Sequence, residues 1–345
     1  MKALRKVLIA LPVVAGYAGL AYACHALQRP FWKWAYVALA LLSAGILPFN
    51  GKRLRGVVGD LLILALVLPL GLTAVLYEAH FLHHQTTPPE AVQRLSEAVH
   101  VVDSPFASNF GQRLFGQLCY QGDSIPDTVV IVSHGNGIGH TGYGNVIDFF
   151  ARNGFAVFAY DATGYDESLG FSTRGLPQGV IDLDYAIRHV RQDPLTAGKP
   201  IVLFGHSWGG YSACSVLNVQ PDVKAVISLA GFDHSLQIIE HQGRQLVGNA
   251  ISALLPHFFL YEHLKFGKYA SFSALDGFSN SRARVMLVHS SDDKTVPMQY
   301  GLSLYREKCG GDGRFLFIDY SDRGHEGLFS PDDAAQFLTF IRNQS

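Results

Sequence analysis

The hexapeptide Gly205-His206-Ser207-Trp208-Gly209-Gly210 restricts the fold of this chain more than any other stretch. Strand formers, Ile201-Val202-Leu203-Phe204, lead into it, and residues 211–219 lead out with a helical composition. A serine framed as G-x-S-x-G between a strand and a helix sits on a sharp, strained turn. Its neighbours must be small, because side chains would collide across the turn. The helix that follows points its first amides at the serine and favours a negative charge developing there. The pattern is short, so its place between a strand and a helix is what singles out Ser207 as a nucleophile.

The same alternation runs through the second two-thirds of the chain. Strands are expected at 113–120, 128–134, 155–160, 201–204, 223–229, 284–289 and 314–318, with helices at 145–153, 177–192, 211–219, 297–308 and 331–342. Strands alternating with helices give a mostly parallel sheet covered on both faces. A short connecting helix is expected at 90–100, ahead of the first strand. The alternation stops between Phe232 and Ala283. This apolar stretch, about 233–282, reads as a cap-like helical insert, with helices at 247–255 and 258–266 separated by Pro256.

The first 80 residues are different in kind. Residues 7–27, 31–49 and 57–77 are almost wholly apolar, each near the ~20 residues that cross a bilayer core. This head holds eight Lys/Arg and two acids, leaving the body 19 of the chain's 27 basic residues and 26 of its 28 acids. The expectation is three transmembrane helices, a linker over 81–100 and a mildly acidic body over 101–345. Ala21-Tyr22-Ala23 resembles a cleavage site, which leaves a signal peptide as the alternative for the first run. Basic residues flank the runs as Lys2, Arg5 and Lys6, then Arg29 and Lys33, then Lys52, Arg53 and Arg55. Their slight excess at the first and third positions puts the N-terminus inside a cytoplasmic membrane and the body on the extracytoplasmic side. No basic stripe with interleaved aromatics marks a nucleic-acid partner. Cys24, Cys119, Cys214 and Cys309 fit neither a metal spacing nor a full disulfide framework. His80, His83 and His84 read as interfacial residues more than as a metal site.

Residues 137–142, Gly137-Ile138-Gly139-His140-Thr141-Gly142, match the G-x-G-x-x-G dinucleotide fingerprint, with Asp161 where a ribose-binding acid would stand. Three residues separate this pattern from its strand, and another strand precedes it, both unlike a nucleotide fold. His134-Gly135-Asn136-Gly137 serves better as an oxyanion loop, through the backbone amides of Asn136 and, on the elbow, Trp208.

A serine hydroxyl needs a histidine to take its proton, and the histidine needs a carboxylate to orient it. His325, after the last strand, is the expected base. Asp293 is the expected acid, with Asp292 as fallback and Asp233, after the preceding strand, as an outside candidate. Each of these aspartates is equally suited to capping a turn or helix.

Residues from about 100 to 345 resemble the α/β-hydrolase superfamily. The resemblance lies in His134-Gly135-Asn136-Gly137, Asp161-Ala162-Thr163-Gly164-Tyr165, the elbow at Ser207, the Asp293 segment and Gly324-His325. It is strongest to the serine aminopeptidase-like and lysophospholipase-like branch. Within Asp161-Ala162-Thr163 relatives often carry an arginine that this chain lacks, and Ser290 stands where they often have glycine. The resemblance implies an α/β-hydrolase fold and a serine hydrolase that needs no cofactor or metal. The anchor and the apolar residues Phe258, Phe259, Leu260 and Phe266 favour a lipid or carboxylester substrate. A peptidase is the alternative, with Asp233, Glu240 or Asp276 holding a substrate amine. A non-catalytic membrane scaffold that kept the fold is the second alternative.

Overall fold

The structure, a computed structural model, describes residues 2–28, 30–46, 53–330 and 333–343. Arg29 and Lys52, which entered the orientation argument, lie outside the described residues, as do positions 47–49 of the second apolar run and 331–332 of the last expected helix. The chain forms two compact units. One comprises Met1–His80 with Ile239–Ala270, the other Phe81–Ile238 with Ser271–Ser345.

The first unit holds helices α1 (Lys2–Ala26), α2 (Pro30–Ile46) and α3 (Arg53–Phe81). Within α3, Val57–Phe81 is long and apolar enough to cross a membrane. The described residues also include two shorter apolar helical stretches, Ala10–Ala26 and Lys33–Ala44. Much of α3 is exposed leucine and valine, including Leu61, Leu64, Val67, Leu68, Leu72 and Val75. Gly16 of α1 makes room for the Leu66 side chain of α3, whose methyl tip would lie 2.6 Å from a Cβ there. The Tyr17 hydroxyl donates to the Leu62 carbonyl at 2.5 Å.

The inserted segment completes this unit. Helix α7 (Ser235–Val247) carries the chain into it, and α8 (Ile251–Phe266) packs on the N-terminal helices. Phe259 meets Tyr22 of α1, His257 meets Tyr36 of α2, and Tyr77 of α3 contacts Phe258, Tyr261 and Phe266. Glu262 is fully buried and accepts the Tyr77 hydroxyl at 2.7 Å. Glu78 accepts from the Tyr261 hydroxyl at 2.5 Å and pairs with Lys265. Buried polar groups in an apolar unit need such partners, because leaving one unpaired costs about 1–3 kcal/mol.

Two local expectations are corrected here. The insert breaks at Gly248, whose φ of +61° a side chain disfavours, and not at Pro256. Pro256 lies in the second turn of α8, where it forfeits only the bond to the Ser252 carbonyl. Residues 90–100 form no α-helix. A single 3₁₀ turn at Pro89–Ala91 is followed by irregular chain and the edge strand β1 (His100–Asp103). Tertiary pairing of β1 decides this, since it lies antiparallel on Gly116–Tyr120.

The second unit contains the whole main sheet. Its strands after β1 are β2 (Phe106–Ala107) and β3 (Arg113–Leu114), which form a separate ribbon, then β4 (Gly116–Tyr120), β5 (Val129–Ser133) and β6 (Ala156–Tyr160). β7 (Ile201–His206), β8 (Ala225–Leu229), β9 (Arg284–Ser290) and β10 (Phe315–Tyr320) follow. The eight-stranded order is β1-β4-β6-β5-β7-β8-β9-β10, parallel from β6 onward. β5 to β9 are almost entirely buried, as a sheet covered on both faces demands. Helix α4 (Gly144–Arg152) supplies Phe150, and α11 (Ala334–Arg342) supplies Phe337 and Phe340, to a core around Val132, Phe204, Ile227 and Val288. Helices α5 (Leu176–Gln192), α6 (Trp208–Ser215), α9 (Ala274–Asn280) and α10 (Leu302–Cys309) complete the unit.

The chain first winds outward from β5 to β6, then returns to place β7 on the other side of β5. The loops leaving β5 and β7 therefore diverge at a switch in winding direction. Open α/β sheets bind ligands at such points, beyond the C-terminal strand ends. The expected oxyanion loop and the elbow are these two loops.

Candidate active site

Ser207 occupies the turn between β7 and α6 with φ +54° and ψ −116°, a strained conformation for a non-glycine residue. Two glycines make the turn feasible. A Cβ on Gly205 would lie 2.1 Å from the Gly209 carbonyl oxygen, and one on Gly209 would lie 1.9 Å from that of Ser133. The Ser207 amide is held by the Leu229 carbonyl at 2.8 Å, which fixes the turn to β8.

His325 Nε2 lies 2.9 Å from Ser207 Oγ, and its Nδ1 lies 2.7 Å from Asp293 Oδ2. Burial alone would raise the Asp293 carboxyl. Hydrogen bonds from His289, His325 and the Val296 amide outweigh burial and hold it below the ordinary carboxylate range. Asp293 Oδ1 accepts from the Thr295 and Val296 amides at 2.8 and 2.9 Å. Asp292 points elsewhere: its Oδ1 accepts from Ser290 Oγ at 2.5 Å and from the Gly324 amide at 2.9 Å. Ser290 Oγ also accepts from the Arg323 amide at 3.1 Å. Serine at this position thus ties the acid loop to the histidine loop. Asp233 caps α9, accepting from the Leu275 amide at 3.0 Å.

On the oxyanion loop, the amides flanking Asn136 are both taken. Gly135 N–H donates to Tyr143 Oη at 2.9 Å, and Gly137 N–H to Tyr165 Oη at 3.0 Å. The amides of Asn136 and of Trp208, first residue of α6, have no acceptor among the described residues. The Tyr165 hydroxyl donates onward to Asn136 Oδ1 at 2.5 Å. His134 braces the loop from below, accepting the Ala162 amide on Nε2 at 2.9 Å and donating from Nδ1 to the Gly135 carbonyl at 2.7 Å. Burial lowers its basicity, which suits this neutral tautomer.

The fingerprint glycines do not line a phosphate cradle. A Cβ on Gly139 would meet Asp166 Oδ2 at 2.2 Å and Asp161 Oδ1 at 2.5 Å, so an entering pyrophosphate would face two carboxylates. Asp161 is buried and accepts from the His140 amide and Nδ1 at 2.9 and 2.8 Å.

Among the described residues, His206, His325 and Glu326 hold possible metal-ligand atoms within 4.8 Å of one another. Both nitrogens of each histidine are already engaged, His325 with Ser207 and Asp293, and His206 with Tyr143 Oη and the His325 carbonyl at 2.9 Å each. His84 is engaged likewise, with ring nitrogens 2.7 and 2.9 Å from the carbonyl oxygens of Gly170 and Asp166.

Sequence reasoning brought together Ser207, His325, Asp293, Asn136 and Trp208, and the structure places their polar atoms as described. It missed Tyr143, Tyr165 and His289, and it discounted His206. Tyr165 bonds to Asn136, His206 to the His325 carbonyl and His289 to Asp293, across 29, 119 and 4 residues of sequence, and Tyr143 takes the Gly135 amide beside Asn136.

A family model described as serine aminopeptidase, S33, matches residues 124–274, a range that includes the elbow and oxyanion loop and stops short of Asp293 and His325. No curated protein matches the chain. An esterase of Pyrococcus furiosus is similar in structure, with a TM-score of 0.58 at 16% identity over 74% of this chain and 98% of that one. The acetyl xylan esterase of Paenibacillus sp. R4 superposes with a TM-score of 0.56 at 19% identity over 79% of this chain and 92% of its own. The acylaminoacyl peptidase of Pyrococcus horikoshii gives 0.55 at 18% identity over 73% of this chain but 43% of its own. The chain has the α/β-hydrolase fold and is an enzyme of the serine-hydrolase class.

Proposed function

We propose that this chain is a membrane-anchored serine hydrolase that cleaves an acyl ester through an acyl-enzyme. The observation that carries the reading is the line Ser207 Oγ, His325, Asp293, with hydrogen bonds of 2.9 and 2.7 Å, beside two amides that have no acceptor among the described residues. Ser207 Oγ attacks the ester carbonyl while His325 Nε2 takes its proton. The carbonyl oxygen becomes an oxyanion held by the Asn136 and Trp208 amides. As the tetrahedral intermediate collapses, the bond to the alcohol breaks and His325 returns the proton to the leaving oxygen. Water then attacks the acyl-Ser207 ester by the same route, releasing the acid and restoring Ser207. Asp293 stays ionised throughout and stabilises the imidazolium.

The anchor rests on the apolar helix at 57–81, and the apolar runs at 7–27 and 31–49 are taken as two further spans on their composition alone. The thin excess of basic residues places the body on the extracytoplasmic side of a cytoplasmic membrane. Anchoring is what favours a lipid or carboxylester. Phe258, Phe259 and Phe266 add little to that preference, since they pack on Tyr77 and Tyr22 within the first unit.

A peptidase is the second reading, favoured by the family description and the acylaminoacyl peptidase likeness. It needs a carboxylate to hold a substrate amine. The candidates are occupied: Asp233 caps α9, Asp276 accepts from Ser273 Oγ at 2.8 Å, and Glu240 pairs with Arg244 at 2.6 Å. The ester reading is preferred on that ground.

The test uses the full chain in native membranes with a fluorophosphonate probe and a panel of p-nitrophenyl and aminoacyl esters. The parent is expected to be labelled and to stay with the membrane after an alkaline wash, and Ser207→Ala is expected to lose both labelling and turnover. Equal labelling of Ser207→Ala overturns the nucleophile. Release by the wash overturns the anchor, preference for aminoacyl esters favours the peptidase, and an inert parent favours the non-catalytic scaffold.

A further inference from the structure

His206 precedes the nucleophile, and residues adjacent on an elbow point apart, so its imidazole does not face Ser207. The structure shows where it goes instead. Its ring is buried, with its centre 4.9 Å from that of His325. Nε2 lies 2.9 Å from the His325 carbonyl oxygen, and Nδ1 lies 2.9 Å from Tyr143 Oη. Tyr143 Oη in turn accepts the Gly135 amide at 2.9 Å.

The donors in this chain are fixed by elimination. The Gly135 amide can only donate, so Tyr143 Oη accepts there and has its proton free for His206 Nδ1. The His325 carbonyl can only accept, so His206 carries its proton on Nε2. A neutral imidazole satisfies every bond at once. Burial, and then the neighbouring His325, lower the basicity of His206 and suit it to that form.

We infer that Tyr143 and His206 are positioning residues that hold the oxyanion loop and the catalytic histidine in one fixed relation. The inference rests on the Ser207–His325–Asp293 reading. The chain runs from the residue before the Asn136 amide to the backbone of the proposed base, and it passes beside the nucleophile. It joins three loops, those leaving β5, β7 and β10. The Gly135 site is built for this approach: a Cβ there would lie 2.9 Å from Tyr143 Oη and 3.2 Å from His206 Nδ1. Tyr165, from the loop after β6, offers a contrast. It holds the Gly137 amide and Asn136 Oδ1, and among the described residues its hydroxyl has no bond to the histidine loop.

The prediction concerns the transition state more than the bound substrate. Both ends of the chain support groups whose charge appears only during reaction, the oxyanion and the imidazolium. Loss of the link therefore lowers kcat with little change in KM. Small misplacement of reacting groups costs up to roughly 10²-fold, so Tyr143→Phe is expected to lose about 10- to 100-fold in kcat. His206→Gln is expected to lose a similar amount. The double variant is expected to lose no more than the worse single one, because either change breaks the same chain.

The test measures kcat, KM and Tm for short p-nitrophenyl ester hydrolysis by the full-length parent, both single variants and the double variant, with Ser207→Ala alongside. Tyr143→Phe keeps the ring, so a Tm within a few degrees of the parent is expected. The inference is overturned by a Tyr143→Phe kcat within about twofold of the parent, by a loss lying mainly in KM, or by multiplicative losses in the double variant. A variant that fails to fold is replaced by Gly135→Ala, which is expected to disturb the same contact and to lower kcat; full activity there overturns the inference as well. Activity retained by Ser207→Ala shows instead that the underlying nucleophile reading has failed.

Discussion

β8 and β9 are adjacent parallel strands, and the loop after each carries a buried aspartate: Asp233, 7% exposed, and Asp293, 6% exposed. Burial and strand-end position are nearly equal, yet their proton affinities move in opposite directions. Asp233 is pushed up to about 6, because burial exceeds the pull of the Leu275 and Ala274 amides and Asp276 adds to it. Asp293 is held down, because His289 and His325 donate to it along with the Val296 amide. His289 is itself fixed, its Nε2 2.8 Å from the Val296 carbonyl and 3.2 Å from Asp293 Oδ2. An acid at a strand end is therefore not enough to complete a triad. The imidazoles around it decide whether it stays charged at working pH, and Asp233 has the backbone of α9 where Asp293 has two histidines.

The largest expected effect breaks the comparison at its functional end. Asp293→Asn should lower kcat by about 10⁴-fold, since the amide favours the wrong tautomer of His325, while Asp233→Asn should stay near parental turnover in the same ester assay. Reversed results would exchange the roles of the two loops. An intermediate effect should come from His289→Leu. Removing one charge-assisted hydrogen bond to Asp293 should lower kcat about tenfold; an unchanged kcat in the same ester assay would leave His289 with packing alone.

The last effect concerns stability and leaves turnover near the parental value. The folded-state value of Asp233, about 6, lies above its ordinary value of 3.8. Its contribution is therefore fully present below about pH 4 and is lost as pH rises through 6. Asp233→Asn lacks this loss and should gain relative to the parent by at most about 2–3 kcal/mol at pH 8 compared with pH 4. Thermal unfolding at the two pH values measures it, and a constant difference in Tm would show that the Asp233 proton is not linked to folding.

Much of the second unit was legible because its periodicity is unambiguous. Apolar runs of five to seven residues at 129–133, 156–160, 225–229 and 284–290 became buried strands. The elbow was legible because Gly205 and Gly209 meet backbone oxygens that tolerate no Cβ. The edge strand β1 was not legible, because its four residues are all exposed and its partner lies about 20 positions on. The insert was legible as helical and apolar, whereas its allegiance was not. Nothing local to Tyr261, Glu262 or Lys265 announces Tyr77 and Glu78 as partners more than 180 residues earlier.

The sequence by itself determined the order of strands and helices, the strained serine and the loops that would bear an acid, a base and oxyanion amides, because these depend on short-range sterics and hydrophobic period. Only the tertiary structure brought Asp293, and not Asp292 or Asp233, within 2.7 Å of His325, joined the insert to the N-terminal helices, and gave His206 a hydrogen-bonded place between two loops. Those outcomes depend on which donors meet which acceptors after distant segments pack, and a buried polar group takes its chemistry from the partners that packing supplies.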